Sequence, residues 1–300
     1  MSNLFLKFNL YAIVFLICNL SFAQLAKKSS DHLTNKEHRK EIKEERKAAL
    51  KASHKRFVLK GSSVFSNLST DLVFGIPYTD GLLSGNISLE DDFGLAAHKT
   101  FFTGSFLYFI TPRSGLYAQY YGINRQNSHT TTKEYTFLGQ TIPAGLDITA
   151  YFNTQVFSVG YLLTILRDSK VFLGAYFNVF LMDLGTGVYT EERKIDETLE
   201  YLLPLPNFGL IANFEITSWL YFDAAVGFFA LDLKDIYFSG SVYNVNAALI
   251  FKPIEWFGLS LSYEMFDVSV SDQYDIGDTY IPYTIKYNFS GPALGLSFDF

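Results

Sequence analysis

Cysteine is almost missing from this chain. The only one, Cys18, sits in the first twenty residues. Those residues read as a secretory signal peptide: Lys7 near the start, an apolar run from Phe8 to Ile17, then Ser21-Phe22-Ala23 with small residues where a signal peptidase reads. Cleavage is expected between Ala23 and Gln24. Ile17 before Cys18 argues against a lipoprotein box. The mature chain then has no cysteine, which excludes disulfides and thiolate metal sites. A second absence follows. Beyond the signal segment no apolar run reaches the roughly 20 residues that a spanning helix needs. Histidine is also scarce: of five, His32, His38 and His54 fall in a basic arm and only His98 and His129 lie beyond it.

Aromatic residues, by contrast, are abundant. Phe, Tyr and Trp make 52 of the 300 residues. A chain rich in aromatics but without hydrophobic helices leaves two homes, a soluble β-sandwich or a membrane barrel. Charge divides the chain as well. Residues 27–56 hold 11 Lys/Arg against 5 Asp/Glu, while 57–300 hold 12 against 25. The expected organisation is a signal peptide over 1–23, a helical or disordered periplasmic arm over 24–56, and a barrel over 57–300.

From Phe57 onward the pattern has period two. Phe208, Leu210, Ala212, Phe214 and Ile216 share one face and oppose Gly209, Asn213 and Glu215. Similar runs occupy 171–181, 220–230 and 257–265. About ten alternating residues is what a tilted spanning strand requires. Connections alternate in length. Short ones lie at 111–115, 167–170, 217–219 and 252–256; longer polar stretches lie near 124–144, 186–203 and 271–281, with a brief one near 231–236. Short periplasmic turns and long outer loops are the habit of outer-membrane barrels. Four short turns and two periplasmic termini predict a closed antiparallel transmembrane β-barrel, all-β, of about ten strands. Residues 57–80 leave twelve open, if they form a further hairpin, and a luminal segment is the other option; eight strands is the smaller alternative.

The chain ends Ala293-Leu-Gly-Leu-Ser-Phe-Asp-Phe300. Leu294, Leu296, Phe298 and Phe300 point one way and Gly295, Ser297 and Asp299 the other. An edge strand with an aromatic terminus is open to β-augmentation, and this one resembles the C-terminal signal read by the barrel-assembly machinery. Just upstream, the apolar phase shifts from Ile285, Tyr287 and Phe289 to Leu294 and Leu296. A bulge at Gly291-Pro292 is the expected cause.

Further stretches carry a wider resemblance. Ile87-Ser-Leu-Glu-Asp-Asp-Phe-Gly-Leu95 with Lys99-Thr100, Thr136-Phe-Leu-Gly-Gln-Thr-Ile-Pro-Ala-Gly145, Gly160-Tyr-Leu-Leu and Ser290-Gly-Pro-Ala-Leu-Gly-Leu resemble a group of uncharacterised Gram-negative outer-membrane β-barrel proteins. The resemblance covers roughly 80–300. It implies location and fold but no activity, and it assigns no functional residue.

The face opposite lipid should carry Asn178, Asn213, Tyr221, Asn244, Asn246, Ser260, Ser262 and Asn288, with Glu215, Asp223, Glu264 and Lys286 as the luminal charges. Bulky Tyr176, Phe180 and Phe229 are expected there too. Eight-strand barrels are filled by their own side chains, and ten give little more. A plugged lumen of structural, ligand-binding or lipid-binding type is therefore preferred to a narrow channel or lateral transporter. A rim hydrolase would rest on His98 and His129 alone, so no catalytic residue and no enzyme is expected. Acidic groups at Glu90-Asp91-Asp92, at Glu191, Glu192, Asp196, Glu197 and Glu200, and at Asp272, Asp275 and Asp278 read as surface carboxylates, bridged loosely by divalent ions or simply solvated; the last could offer oxygen ligands to Ca²⁺ but lacks EF-hand spacing. No cofactor or metal is expected. The expected partners are outer-membrane lipid and lipopolysaccharide, the assembly machinery, and peptidoglycan or a periplasmic protein met by the basic arm. Nucleic acid is not among them.

Overall fold

The computed structural model describes residues 56–300 except 79–80, 133, 138–139, 191–194, 234–237 and 277–278. The signal segment and the basic arm therefore lie outside the described residues, Arg56 apart. Thirteen strands follow one another: β1 (Phe57–Tyr78), β2 (Gly81–Ser88), β3 (His98–Thr111), β4 (Ser114–Thr130), β5 (Tyr135–Phe137), β6 (Gln140–Ile142), β7 (Asp147–Arg167), β8 (Val171–Thr190), β9 (Ile195–Thr217), β10 (Leu220–Leu233), β11 (Phe238–Ile254), β12 (Phe257–Ile276) and β13 (Thr279–Asp299). The order β1-β3-β4-β7-β8-β9-β10-β11-β12-β13 closes on itself through β13–β1, a ten-stranded antiparallel barrel. Strand β2 extends one edge of β1 and β5–β6 form a small separate hairpin. Of the stretch left open over 57–80, the described residues 57–78 form a barrel strand that closes the sheet.

Both described ends lie at one end of the barrel with the four short turns. Arg56 N and Phe57 N donate to Phe300 O at 2.6 and 2.9 Å, and Phe300 N donates to Phe57 O at 2.8 Å. Register shifts sit beside each short turn, at Phe109/Thr111, Thr164/Leu166, Leu220/Tyr221 and Phe251/Ile254. The sheet bends there, as bulges make it do.

The barrel strands run from 14 to 23 residues, well past the ten or so that cross a bilayer. Most of what reads as outer loop is strand. β4 continues to Thr130, β8 to Thr190 and β12 to Ile276, while β9 already starts at Ile195 and β13 at Thr279. Among the described residues, substantial connections link β1 to β3 and β4 to β7, and they carry β2 and the β5–β6 hairpin.

Sidedness changes along these long strands. Near the turns the outward residues are apolar and exposed: Phe157, Val159, Tyr161, Leu163 and Ile165 on β7, and Leu259, Leu261 and Tyr263 on β12. Farther up the same outward faces carry Gln155 and Asn153, and Asp267, Ser269 and Ser271. The inward faces do the reverse. On β12 Ser260, Ser262 and Glu264 give way to buried Phe266, Val268 and Val270. About five outward apolar positions per strand, tilted some 40°, make a belt roughly 25 Å tall, the height of a bilayer's hydrocarbon layer. Beyond the belt the barrel is built like a water-soluble one, apolar inside and polar outside.

This inversion explains the phase change at Gly291-Pro292. No bulge is present. β12–β13 pairing runs unbroken from Phe257↔Phe298 to Ile276↔Thr279, and β1–β13 keeps one register on both sides of the proline. Odd-numbered residues of β13 face inward throughout; what changes is which face needs to be apolar. Proline cannot donate to β1, and Gly291 lets the strands meet. A Cβ there would lie 2.1 Å from Phe65 O. Gly291→Ala should cost about 1–3 kcal/mol, read as a lower temperature for the heat-induced gel shift of the detergent-solubilised barrel; an unchanged temperature would refute the close approach.

The far half is filled. Its core includes Leu72, Ile123, Ile148, Phe152, Met182, Leu184, Val268, Ile285 and Tyr287. Strand β3 stops at His98, and residues 88–97 occupy the gap between β1 and β4, burying Leu89, Phe93 and Leu95. Arg125, 2% exposed, anchors that segment. It pairs with Glu90, donates to Thr70 Oγ1 at 2.5 Å, and lies 5.2 Å from the Phe152 ring centre. Thr70 N donates to the other Glu90 oxygen at 2.8 Å, and Asn127 Nδ2 donates to Phe93 O at 3.1 Å. Glu90 is therefore no solvated carboxylate: an isolated buried arginine is too costly to leave unpaired, and Glu90 supplies the pair.

Candidate functional site

Inside the belt the barrel holds a cavity of about 440 Å³, lined by charged, polar and apolar side chains, that reaches the short turn at Asp168, Ser169 and Lys170. Its walls are the inward faces of the turn half, which the lipid belt outside leaves free to be polar. Five carboxylates line it, Asp168, Glu215, Asp223, Glu264 and Asp299, with four bases, Lys60, Arg167, Lys170 and Lys252. Lys60 Nζ donates to Asp223 Oδ2 at 2.5 Å, and Asn213 Nδ2 donates to Asp223 Oδ1. Lys252 Nζ donates to Asp299 Oδ2 at 2.5 Å and lies 4.4 Å over the Tyr221 ring. Both acids are mostly buried, and each bridge joins strands far apart in sequence. Glu215 and Glu264 carboxylates make no hydrogen bond or ion pair among the described residues, although Lys60 is near enough to act on Glu264. An unpaired carboxylate in a dry wall is expensive.

Amide side chains continue the lining. Asn178 donates to Ser158 Oγ at 2.6 Å, and Asn207 donates to Asn178 Oδ1 at 2.9 Å. Tyr176 lies flat along the wall and accepts from Asn244 at 3.3 Å. Glycines make its bed: a Cβ at Gly209 would sit 2.3 Å from Tyr176 Cζ and one at Gly227 2.5 Å from its hydroxyl. The ring is thereby kept against the wall and out of the bore.

An aromatic cluster borders the cavity on the side away from the short turns. Phe266 and Phe289 stack at 5.7 Å, Tyr121 meets Phe289 at 5.4 Å, Phe101 meets Phe289 at 5.1 Å, and Phe180 meets Phe266 at 5.3 Å. Edge-to-face and offset contacts of this kind add to their area burial. Above them lies the buried apolar core of the far half.

No protein-family model matches the chain, and no curated protein sequence does. Solved structures do match. The outer membrane protease OmpT from Escherichia coli is similar over 82% of this chain and 97% of its own, at 10% identity and a TM-score of 0.45. The translocator domain of autotransporter NalP from Neisseria meningitidis covers 88% and 96%, at 9% identity and 0.44. The P. putida toluene transporter TodX covers 85% and 92%, at 9% and 0.32. Likeness at this level speaks to neither ligand nor reaction.

Of the luminal charges read from the sequence, Glu215, Asp223 and Glu264 line the cavity together. Lys286 does not. It is exposed on the outer surface beyond the belt, and half-buried Asn288 shares its face, because there the polar face of β13 is the outward one. Tyr176, Phe180 and Tyr221 line the cavity, whereas Phe229 is half-buried beside outward-facing Phe208, 6.4 Å between ring centres. Leu294 and Leu296 are exposed in the belt, and Phe298 and Phe300 stack with Trp256 at 6.3 and 6.5 Å. In the closed barrel their strand is paired on both edges. His98 is exposed on β3 and His129 half-buried on β4. Among the described residues no group of three or more His, Cys, Asp or Glu could hold a metal ion. Asp272 is half-buried with contacts of its own; Asp275, Asp278 and the cluster from Glu191 to Glu200 lie outside the described side chains.

The sequence reading missed Lys60, Lys252 and the Arg125–Glu90 pair. Alternation could have found the lysines, since Lys60 shares a face with Ser62 and Lys252 with Asn244 and Asn246. The partner strands they meet are set by closure, which no local pattern encodes.

Proposed function

We propose that this chain is an integral outer-membrane barrel of structural or binding type, without a continuous pore. The observation that carries the reading is the filled far half: the aromatic cluster and the core above it stand between the cavity and the far end. The turn half sits in the bilayer with its blind vestibule open toward the periplasm. The far half projects beyond the lipid, where its rim and the belt meet outer-membrane lipid and lipopolysaccharide. An apolar belt, an export signal and a C-terminal aromatic strand suited to the barrel-assembly machinery support the location. The basic arm then starts on the periplasmic side, in reach of peptidoglycan or a periplasmic partner. The reading assigns no catalysis, and replacing both His98 and His129 should leave any hydrolytic activity unchanged.

Purified protein in a planar bilayer is expected to give no steady conductance. Steady cation-selective currents of porin size would overturn the closed-bore reading and favour a channel.

A further inference from the structure

The wall has a split at the upper edge of the belt. The β3–β4 ladder ends at Thr103↔Tyr121, yet β3 continues to His98 and β4 to Thr130. Above the last pair the two strands part, and a pocket of about 370 Å³ lies in the opening, lined among others by Lys99, Phe102, Tyr120, Gly122, Asn124 and Gln155. Its height is fixed by register. Gly122 stands opposite Gln155, the first polar outward residue of β7 above Phe157. Phe102 stands opposite Ser63, which in turn faces Leu294 of the belt. The pocket therefore straddles the boundary between hydrocarbon and headgroups.

Two features limit what fits there. Phe102 is 76% exposed and Tyr120 50%, an apolar flank at acyl-chain depth. Lys99 is the one charged residue of the lining, and with Asn124 and Gln155 it offers hydrogen-bond donors just above. A parted ladder also leaves backbone groups that lipid tails alone cannot satisfy. We infer that the β3–β4 split binds a phosphate-bearing anionic lipid of the outer leaflet, its headgroup on Lys99 and its chain between Phe102 and Tyr120. This rests on the reading of the belt as lipid-facing, and not on the bore being closed.

Native mass spectrometry of the full mature chain in detergent, titrated with phosphatidylglycerol, phosphatidylcholine or inorganic phosphate, tests it. One phosphatidylglycerol should be retained in preference to phosphatidylcholine, and inorganic phosphate should not displace it. Lys99→Glu should weaken that retention about tenfold. Gly122→Phe should do the same by filling the pocket, since its Cβ would meet only the flexible Tyr120 hydroxyl within 3.2 Å. Lys286→Glu, an exposed lysine elsewhere above the belt, should leave it unchanged. Each variant is first checked for the heat-dependent gel shift of a folded barrel. Equal loss with Lys286→Glu, no effect of Gly122→Phe, equal retention of phosphatidylcholine, or displacement by inorganic phosphate would each overturn the site. A chain that stays soluble without detergent would instead end the membrane reading itself.

Discussion

Arg125→Ala is expected to destabilise the barrel by about 3–5 kcal/mol, the cost of leaving one partner of a buried ion pair uncompensated. Arg125 is the hub of the far half. It holds Glu90, reaches Thr70 on β1 and packs on Phe152 of β7. Without it Glu90 keeps the Thr70 amide but loses its counter-charge, and residues 88–97 lose the anchor that seals the gap above β3. Urea unfolding of the detergent-solubilised protein, followed by intrinsic fluorescence, measures the loss. The double variant Arg125→Ala/Glu90→Ala should lose less than the two single losses added, because no charge is then stranded. A loss under about 1 kcal/mol for Arg125→Ala would mean that water reaches the pair and that the far half is looser than described. The same variant is the one to record in planar bilayers: current through it but not through the parent would place the seal at this segment.

The second large effect separates the two halves. Leu261→Arg, in the middle of the belt on β12, should cost about 2–4 kcal/mol, while Ser269→Arg, outward on the same strand beyond the belt, should cost close to nothing. Leu261 is 56% exposed in the apolar belt; Ser269 shares its face eight residues on, where the outward residues are polar. Refolding both variants into vesicles and comparing their urea midpoints decides the matter. Equal costs would erase the boundary.

Much of the barrel was legible in particular residues. The alternation at 208–216 and 257–265 gave strands with the correct lipid face. The short turns at 111–115, 167–170, 217–219 and 252–256 gave the strand count, because each compact turn forces two antiparallel neighbours. What failed was the assumption that the polar face is always the luminal one. It holds for Glu215, Asp223 and Glu264 within the belt and fails for Lys286 above it. The same assumption turned a change of solvent at Gly291-Pro292 into an expected bulge, and it turned the polar outer surfaces of β4, β8, β9, β12 and β13 into expected loops.

By itself the sequence determined that the chain has two-faced strands, how many there are and where they turn, since period two and turn residues are local properties of the backbone. Which face looks inward at a given height, and which distant charges meet there, only the tertiary structure decided. A strand's alternation says that its two faces differ without saying what surrounds them. Closure of β13 on β1 set lipid against one stretch of the wall and water against the next, and it brought Lys60 of β1 to Asp223 of β10, while the sheet order brought Lys252 to Asp299 across β12 and Arg125 to Glu90.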